Sequence, residues 1–176
     1  LTFQLTASLL QPWVGYYTDR HPNPLLLPCG MVCTLVGILM LSQVGSFPLI
    51  LLAAALVGVG SSTFHPEASR VARLASGGRY GFAQSTFQVG GNAGSAFGPL
   101  LAAAIIIPYG QGNVAWFGLF ALFAVGLLYV ISRWYRTHLS LFKLKAGQKA
   151  THGLSSRRVL SALVVLGVLG FSKYFY

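Results

Sequence analysis

The chain has 176 residues, 55% hydrophobic and 8% charged, with twelve Lys and Arg against two Asp and Glu, for a formal net charge of +10. Soluble domains carry about 25% charged residues, so a water-soluble enzyme or binding module is excluded, and the apolar content excludes a disordered chain. Two cysteines exclude a disulfide framework, and the basic excess lacks the interleaved aromatics of a nucleic-acid groove, which leaves membrane topology as its explanation.

Six apolar blocks follow one another, over residues 1–17, 25–44, 47–64 (continuing in polar form to 73), 81–107, 114–132 and 159–176. Most approach the ~20 residues that a spanning helix needs. They are continuous runs of Leu, Ala, Val and Gly, without the ~10-residue alternation of membrane strands. In lipid such runs must satisfy their own backbone hydrogen bonds, so they predict helices. The fold class is an all-α polytopic membrane protein.

Positive charge falls on alternate connections. The stretch 18–24 carries Arg20, the stretch 70–80 carries Arg70, Arg73 and Arg79, and the stretch 133–158 carries Arg133, Arg136, Lys143, Lys145, Lys149, Arg157 and Arg158. The connections 45–46 and 108–113 carry none. Basic loops stay in the cytoplasm, so every connection predicts the same orientation. The long basic stretch reads as a partly helical loop lying on anionic headgroups. Residue 1 falls inside an apolar run and the run from Val159 to Lys173 is too short to span, so the expectation is an internal stretch of a longer polytopic protein.

In the first block Gln4, Ser8 and Gln11 share one face, ahead of Pro12 and Trp13. They are candidates for lining a polar cavity. The connection that follows carries Gly15-x-x-x-Asp19-Arg20. Gly15 permits close helix approach, Asp19 can accept backbone N–H groups at a helix N-terminus, and Arg20 offers a planar fork for a carboxylate. Cys29 and Cys33, four apart on the second block, read as small packing residues.

The third block ends Gly58-Val59-Gly60-Ser61-Ser62-Thr63-Phe64-His65-Pro66-Glu67-Ala68-Ser69-Arg70. Gly58, Ser62, His65 and Ser69 share a face, and Pro66 is expected to kink the helix. Glu67 is one of only two acids, placed inside a spanning segment, where an ionisable group points to function. Its alternatives are a proton-exchanging or gating group, or a helix end bridged to Arg70 or Arg20. His65 is a candidate proton relay.

In the fourth block Gly90, Gly94, Gly98 and Ala102 make a small-xxx-small stripe for helix packing, closed by Pro99. Gln84, Gln88, Asn92 and Ser95 form a second, polar stripe, which in lipid must face protein or a watery cavity. Lys173 in the last block either attracts an anionic substrate or snorkels to the interface beside Tyr174 and Tyr176. No phosphate loop, metal-ligand set or nucleophile triad is present, so no cofactor is expected.

Taken together, the Gly15–Arg20 loop, the His65-Pro66-Glu67 helix end, the Gly90–Pro99 helix and the long basic loop resemble the major facilitator superfamily, and its drug-exporting branch in particular. The sequence departs from that pattern at His21-Pro22-Asn23-Pro24, where Gly and basic residues are usual, and at Ala55, where an Arg is frequent. The resemblance implies twelve helices in two halves, with this chain running from helix 2 to the start of helix 7. Residues 1–132 then belong to the N-terminal half, 133–158 to the loop between halves, and 159–176 to the second half. It implies proton-coupled efflux of a small drug, a phosphonate anion being the expected class, by alternating access in a bacterial inner membrane. Asp19, Arg20, His65 and Glu67 are the coupling or gating candidates, and the resemblance implies a latch between Glu67 and Arg20 on the cytoplasmic side. Gln4, Gln11, Gln84, Gln88, Asn92 and Lys173 are the substrate-cavity candidates, and Gly15, Gly90, Gly94, Gly98 and Pro99 the packing positions. The competing readings are an organic-anion importer of the same superfamily and an intramembrane enzyme using His65 and Glu67.

Overall fold

A computed structural model describes residues 1–147 and, beyond them, residues 158, 160, 161, 164, 165 and 168. Helices α1 (Thr2–Arg20), α2 (Leu26–Gln43), α3 (Phe47–Ala75), α4 (Tyr80–Tyr109) and α5 (Ala115–Gly147) follow in order, with a short 3-10 turn, Gln111–Val114, before the last. The chain divides into two compact units, Leu1–Ser140 and Leu141–Tyr176. The packing described below is that of the first.

Local chemistry sets the helix ends. Helix α1 stops ahead of Pro22, which disfavours helical backbone at the residue before it. The Asn23 side-chain oxygen then accepts the Leu25 N–H at 3.1 Å and turns the chain into α2. Helix α2 gives way to extended backbone at Val44 (φ −82°, ψ 128°). Helix α3 ends at Gly77 and Gly78, whose φ of +59° and +97° are left-handed values that a side chain resists.

Among the described residues four helical stretches are long and apolar enough to cross a membrane: Leu26–Gln43, Phe47–Ala75, Tyr80–Tyr109 and Gln111–Leu139. Helix α1 is not among them, because Thr2, Gln4, Thr6, Ser8 and Gln11 dilute its first three turns. The expected connection over 70–80 shrinks to residues 76–79, since α3 runs through Arg70 and Arg73 to Ala75. Pro66 sits inside that helix without ending it. Helix α5 passes the expected end at 132 and continues to Gly147; the intervening sequence holds neither Gly nor Pro to stop it.

Helix α3 lies at the centre. It runs parallel to α1, for Gly58 meets Phe3 and Thr6 at one end and Pro66 faces Gly15 at the other. It runs antiparallel to α2, where Gly60 crosses Gly30 and Thr34 while Gly37 crosses Ala53 and Val57. At Gly60 a Cβ would sit 2.9 Å from the Thr34 backbone nitrogen, so this crossing requires a residue without one. Helix α5 packs on α2 through Gly118 against Leu39. Midway along α5, Ser132 donates to the Pro24 carbonyl at 2.7 Å. Arg20, Arg70, Arg73, Arg79, Arg133 and Arg136 consequently gather at one end of the bundle, the basic end. At the opposite, uncharged end the Gln111 amide donates to the Leu41 and Val44 carbonyls at 2.7 and 2.8 Å. It thereby satisfies carbonyls that the end of α2 leaves open.

Helix α4 touches α3 near its start and the 3-10 turn at its end, and it has no buried residue. At Gly90, Gly94 and Gly98 an added Cβ would meet nothing within 4 Å among the described residues. The small-residue stripe therefore lies along an open face, and Pro99 sits within the same continuous helix.

Candidate functional site

The one charged cluster buried among the described residues lies at the basic end, where the last turn of α1 meets the last third of α3. Parallel packing of these two helices brings Thr18 and Asp19 beside Glu67 and Arg70. Glu67 is wholly buried at 0% exposure. The Arg70 guanidinium is the hub. Its Nη1 donates to Glu67 Oε1 at 2.8 Å and to the Thr18 carbonyl at 2.7 Å. Its Nη2 donates to the Thr18 hydroxyl at 3.3 Å and to Asp19 Oδ1.

The two acids of the chain thus share one cation. The Asp19 side chain is 76% exposed and well solvated. The Glu67 side chain is fully buried, and its second oxygen, Oε2, has no hydrogen-bond partner. Two carboxylates around one guanidinium carry a surplus negative charge. A proton on Glu67 would remove it, and Asp19 has water to screen it instead. Arg70 must stay charged, because a guanidinium does not lose its proton in proteins.

Tyr135 completes the cluster from α5. It is buried at 0% exposure, and its hydroxyl borders the Arg70 guanidinium. Among wholly buried side chains, Tyr135, Glu67 and Thr18 are three of the six largest.

The remaining candidates fall elsewhere. Arg20 does not reach Glu67; it stacks on its own helix, 3.8 Å above the Tyr16 ring. The latch expected between Glu67 and Arg20 is replaced by the bridge to Arg70, which is one turn away on the same helix and so needs no reach. His65 is exposed, with Nδ1 3.0 Å from the Ser61 carbonyl and its ring edge-on to Phe87. His65 and Glu67, two residues apart, point to different sides of α3 and form no acid–base pair. Gly15 lies 3.9 Å, as a built Cβ, from Pro66, which makes it a contact between α1 and α3.

Gln4, Gln11, Gln84, Gln88 and Asn92 are all exposed. Gln84 accepts a hydrogen bond from Ser69 at 2.9 Å, tying α4 to α3. An apolar cleft of about 400 Å³ opens between these two helices at the basic end, with Arg79, Phe82 and Phe87 in its walls, and none of the cavity candidates lines it. Lys173 lies outside the described residues. Among the described residues no three His, Cys, Asp or Glu come together as a metal site.

Sequence reasoning missed Thr18 and Tyr135, and placed Arg70 only as one of two possible partners. The Glu67–Arg70 spacing of three was a usable signal. Nothing in the sequence links Tyr135 to this site.

The model of the Major Facilitator Superfamily matches residues 1–176. The chain is 60% identical over 176 residues to the fosmidomycin resistance protein of Escherichia coli, covering all of this chain and 43% of that protein. It is 42% identical over 167 residues to an uncharacterised transporter of the same superfamily, YfnC, from Bacillus subtilis, covering 93% of this chain and 41% of that protein. The chain therefore spans less than half the length of these curated relatives. No solved structure matches it.

Proposed function

We propose, from the premise that the chain belongs to the major facilitator superfamily, that it forms most of the N-terminal half of a drug exporter driven by protons. Fosmidomycin is the first substrate to try, given the name of the Escherichia coli relative. Residues 1–132 supply helices 2 to 6 of twelve, 133–158 join the halves, and 159–176 begin the second half. The basic end faces the cytoplasm of a bacterial inner membrane, a reading that the alternation of charge supports.

One observation carries the proton reading. A fully buried carboxylate, with one oxygen bare, shares a single cation with a second acid. For such a group to couple transport, its proton affinity must differ between the inward-open and outward-open states. The reading requires that Asp19, at the end of α1, change its distance from Arg70 between the two states. Withdrawal of Asp19 leaves Arg70 to Glu67 alone and favours its charged form. Return of Asp19 restores the surplus negative charge and favours the proton. Arg70 thus acts as the latch between α1 and α3, with Glu67 as the group that loads it.

The substrate passes between the halves near the midplane. The exposed amides Gln4, Gln11, Gln84, Gln88 and Asn92 serve as cavity lining against the second half, and Lys173 attracts the anion. The open Gly90, Gly94 and Gly98 face receives a helix from the rest of the protein. His65 stays a candidate relay at the edge of this cavity.

The test is accumulation of fosmidomycin in cells expressing the complete protein, with and without a proton uncoupler. Lowered accumulation that returns to control with uncoupler is the expected result. Raised accumulation would favour an organic-anion importer, and no change would remove the drug assignment.

A further inference from the structure

Both acids of the chain bridge to Arg70. The other arginines of the basic end, Arg20, Arg73, Arg79, Arg133 and Arg136, therefore form no ion pair among the described residues. Two of them rest on aromatic rings: Arg20 lies 3.8 Å above Tyr16, and Arg73 lies 4.9 Å from the Tyr80 ring centre. Arg79 has neither kind of partner among the described residues. It stands in the turn between α3 and α4, in the wall of the cleft of about 400 Å³ that opens between those helices.

The rest of that wall asks for no polar partner. Phe82, Ala83 and Phe87 present carbon. The Ser76 hydroxyl donates to the Arg73 carbonyl at 2.6 Å, and the Thr86 hydroxyl donates to the Phe82 carbonyl at 2.9 Å. The cleft thus sets one cation, with a fork of N–H donors, beside an apolar slot. A small anion would gain nothing from the slot, and an uncharged apolar segment would gain nothing from Arg79. The matching occupant carries a negative head and a hydrocarbon tail.

We propose that this cleft binds one anionic phospholipid, its phosphate on the Arg79 guanidinium and the upper part of an acyl chain between α3 and α4. Both helices are long and apolar enough to span a membrane, and the cleft lies where they are joined by residues 76–79. That junction is where two spanning helices leave the hydrocarbon and meet the headgroups. Basic pockets between spanning helices at that depth suit anionic headgroups, and a guanidinium matches a phosphate with two parallel hydrogen bonds. The inference goes beyond the drug and proton readings and depends on neither. It needs only that the basic end meets a headgroup layer.

The test uses the complete protein with its tryptophans replaced by Phe and Phe87→Trp added as a reporter in the cleft wall. The protein is placed in vesicles that mix phosphatidylglycerol with phosphatidylcholine, one of the two carrying brominated chains. Fluorescence quenching then gives their relative affinities at that position. Phosphatidylglycerol is expected to bind about fivefold more tightly, the effect of one Arg at a membrane surface. Arg79→Gln should remove the preference, and Arg133→Gln, at the same end but outside the cleft, should leave it. Equal affinities overturn the proposal, as does a preference that survives Arg79→Gln. A preference that falls as far with Arg133→Gln marks diffuse surface charge and overturns it too. Loss of the preference in inorganic phosphate at constant ionic strength marks a site for a free anion. Quenching by neither lipid marks a cleft covered by another part of the protein or by a second chain; both results overturn the proposal. If the reporter version does not fold, the same contrast is read on the natural sequence in detergent. Added phosphatidylglycerol, and not phosphatidylcholine, should then raise Tm, and a rise that Arg79→Gln leaves intact overturns the site.

Discussion

Replacing Arg70 tests the cluster most directly, because its two acidic partners sit in different surroundings. Asp19 is largely in water, and exposed ion pairs contribute about 0–1 kcal/mol. Glu67 is sealed, and removing one member of a buried pair costs about 3–5 kcal/mol, because the other charge is left uncompensated. Arg70→Met should therefore destabilise the full-length protein by about 3 kcal/mol or more, and Asp19→Asn by under about 1 kcal/mol. Arg70→Lys should fall between them, since one ammonium cannot reproduce a fork that spans Thr18, Asp19 and Glu67. Adding Glu67→Gln to Arg70→Met should recover part of the loss, because the bare buried charge is gone. The assay is the melting temperature of purified protein in detergent, followed by the monodisperse fraction on size exclusion. An Asp19→Asn variant as unstable as Arg70→Met would refute the reasoning, for it would place the energy at the solvated end. So would an Arg70→Met variant that Glu67→Gln makes worse.

Glu67→Gln in the complete protein should leave the fold intact and abolish the dependence of transport on a proton gradient; vesicles with an imposed gradient measure this, and unchanged coupled transport eliminates the role. Gly60→Val should cost about 3 kcal/mol or more through forced separation of α2 and α3, seen as a collapse of folded yield, whereas Gly45→Ala, with nothing within 4 Å of its added Cβ, should be tolerated. Gln111→Ala leaves the Leu41 and Val44 carbonyls open and should cost about 1 kcal/mol. A melting temperature equal to wild type would show that water takes over both. Lys173→Ala should raise the substrate concentration for half-maximal transport, and an unaltered value rejects the anion-attracting role.

Much of the fold was legible in the sequence. Lipid offers no hydrogen bonds to the backbone, so long apolar runs can only be helices, and α2, α3 and α4 stand where the runs stand. Helix α5 outlasts its apolar run and continues into the basic stretch, whose partly helical character the sequence already suggests. Arg133 and Arg136 mark where a helix leaves the apolar layer, but they do not break it, and only Gly or Pro would have done so. Glu67 was picked out by its rarity and depth alone. The resemblance in the Gly15–Arg20 loop and the Gly90–Pro99 helix led to the family before any packing was known.

Partnership was decided by tertiary structure. Arg20 and Arg70 were equal candidates for Glu67 on paper. The parallel run of α1 along α3, set by Gly58 against Phe3 and Thr6 and by Gly15 against Pro66, turns Arg70 toward Thr18 and Asp19 and leaves Arg20 on Tyr16. Tyr135 reaches the same point because α5 packs on α2 through Gly118 and Ser132. Composition and periodicity report how each residue meets lipid, a property of one helix at a time. Which buried donor meets which acceptor depends on the crossing of two helices, and that is set by small residues far along the chain from the charges they bring together.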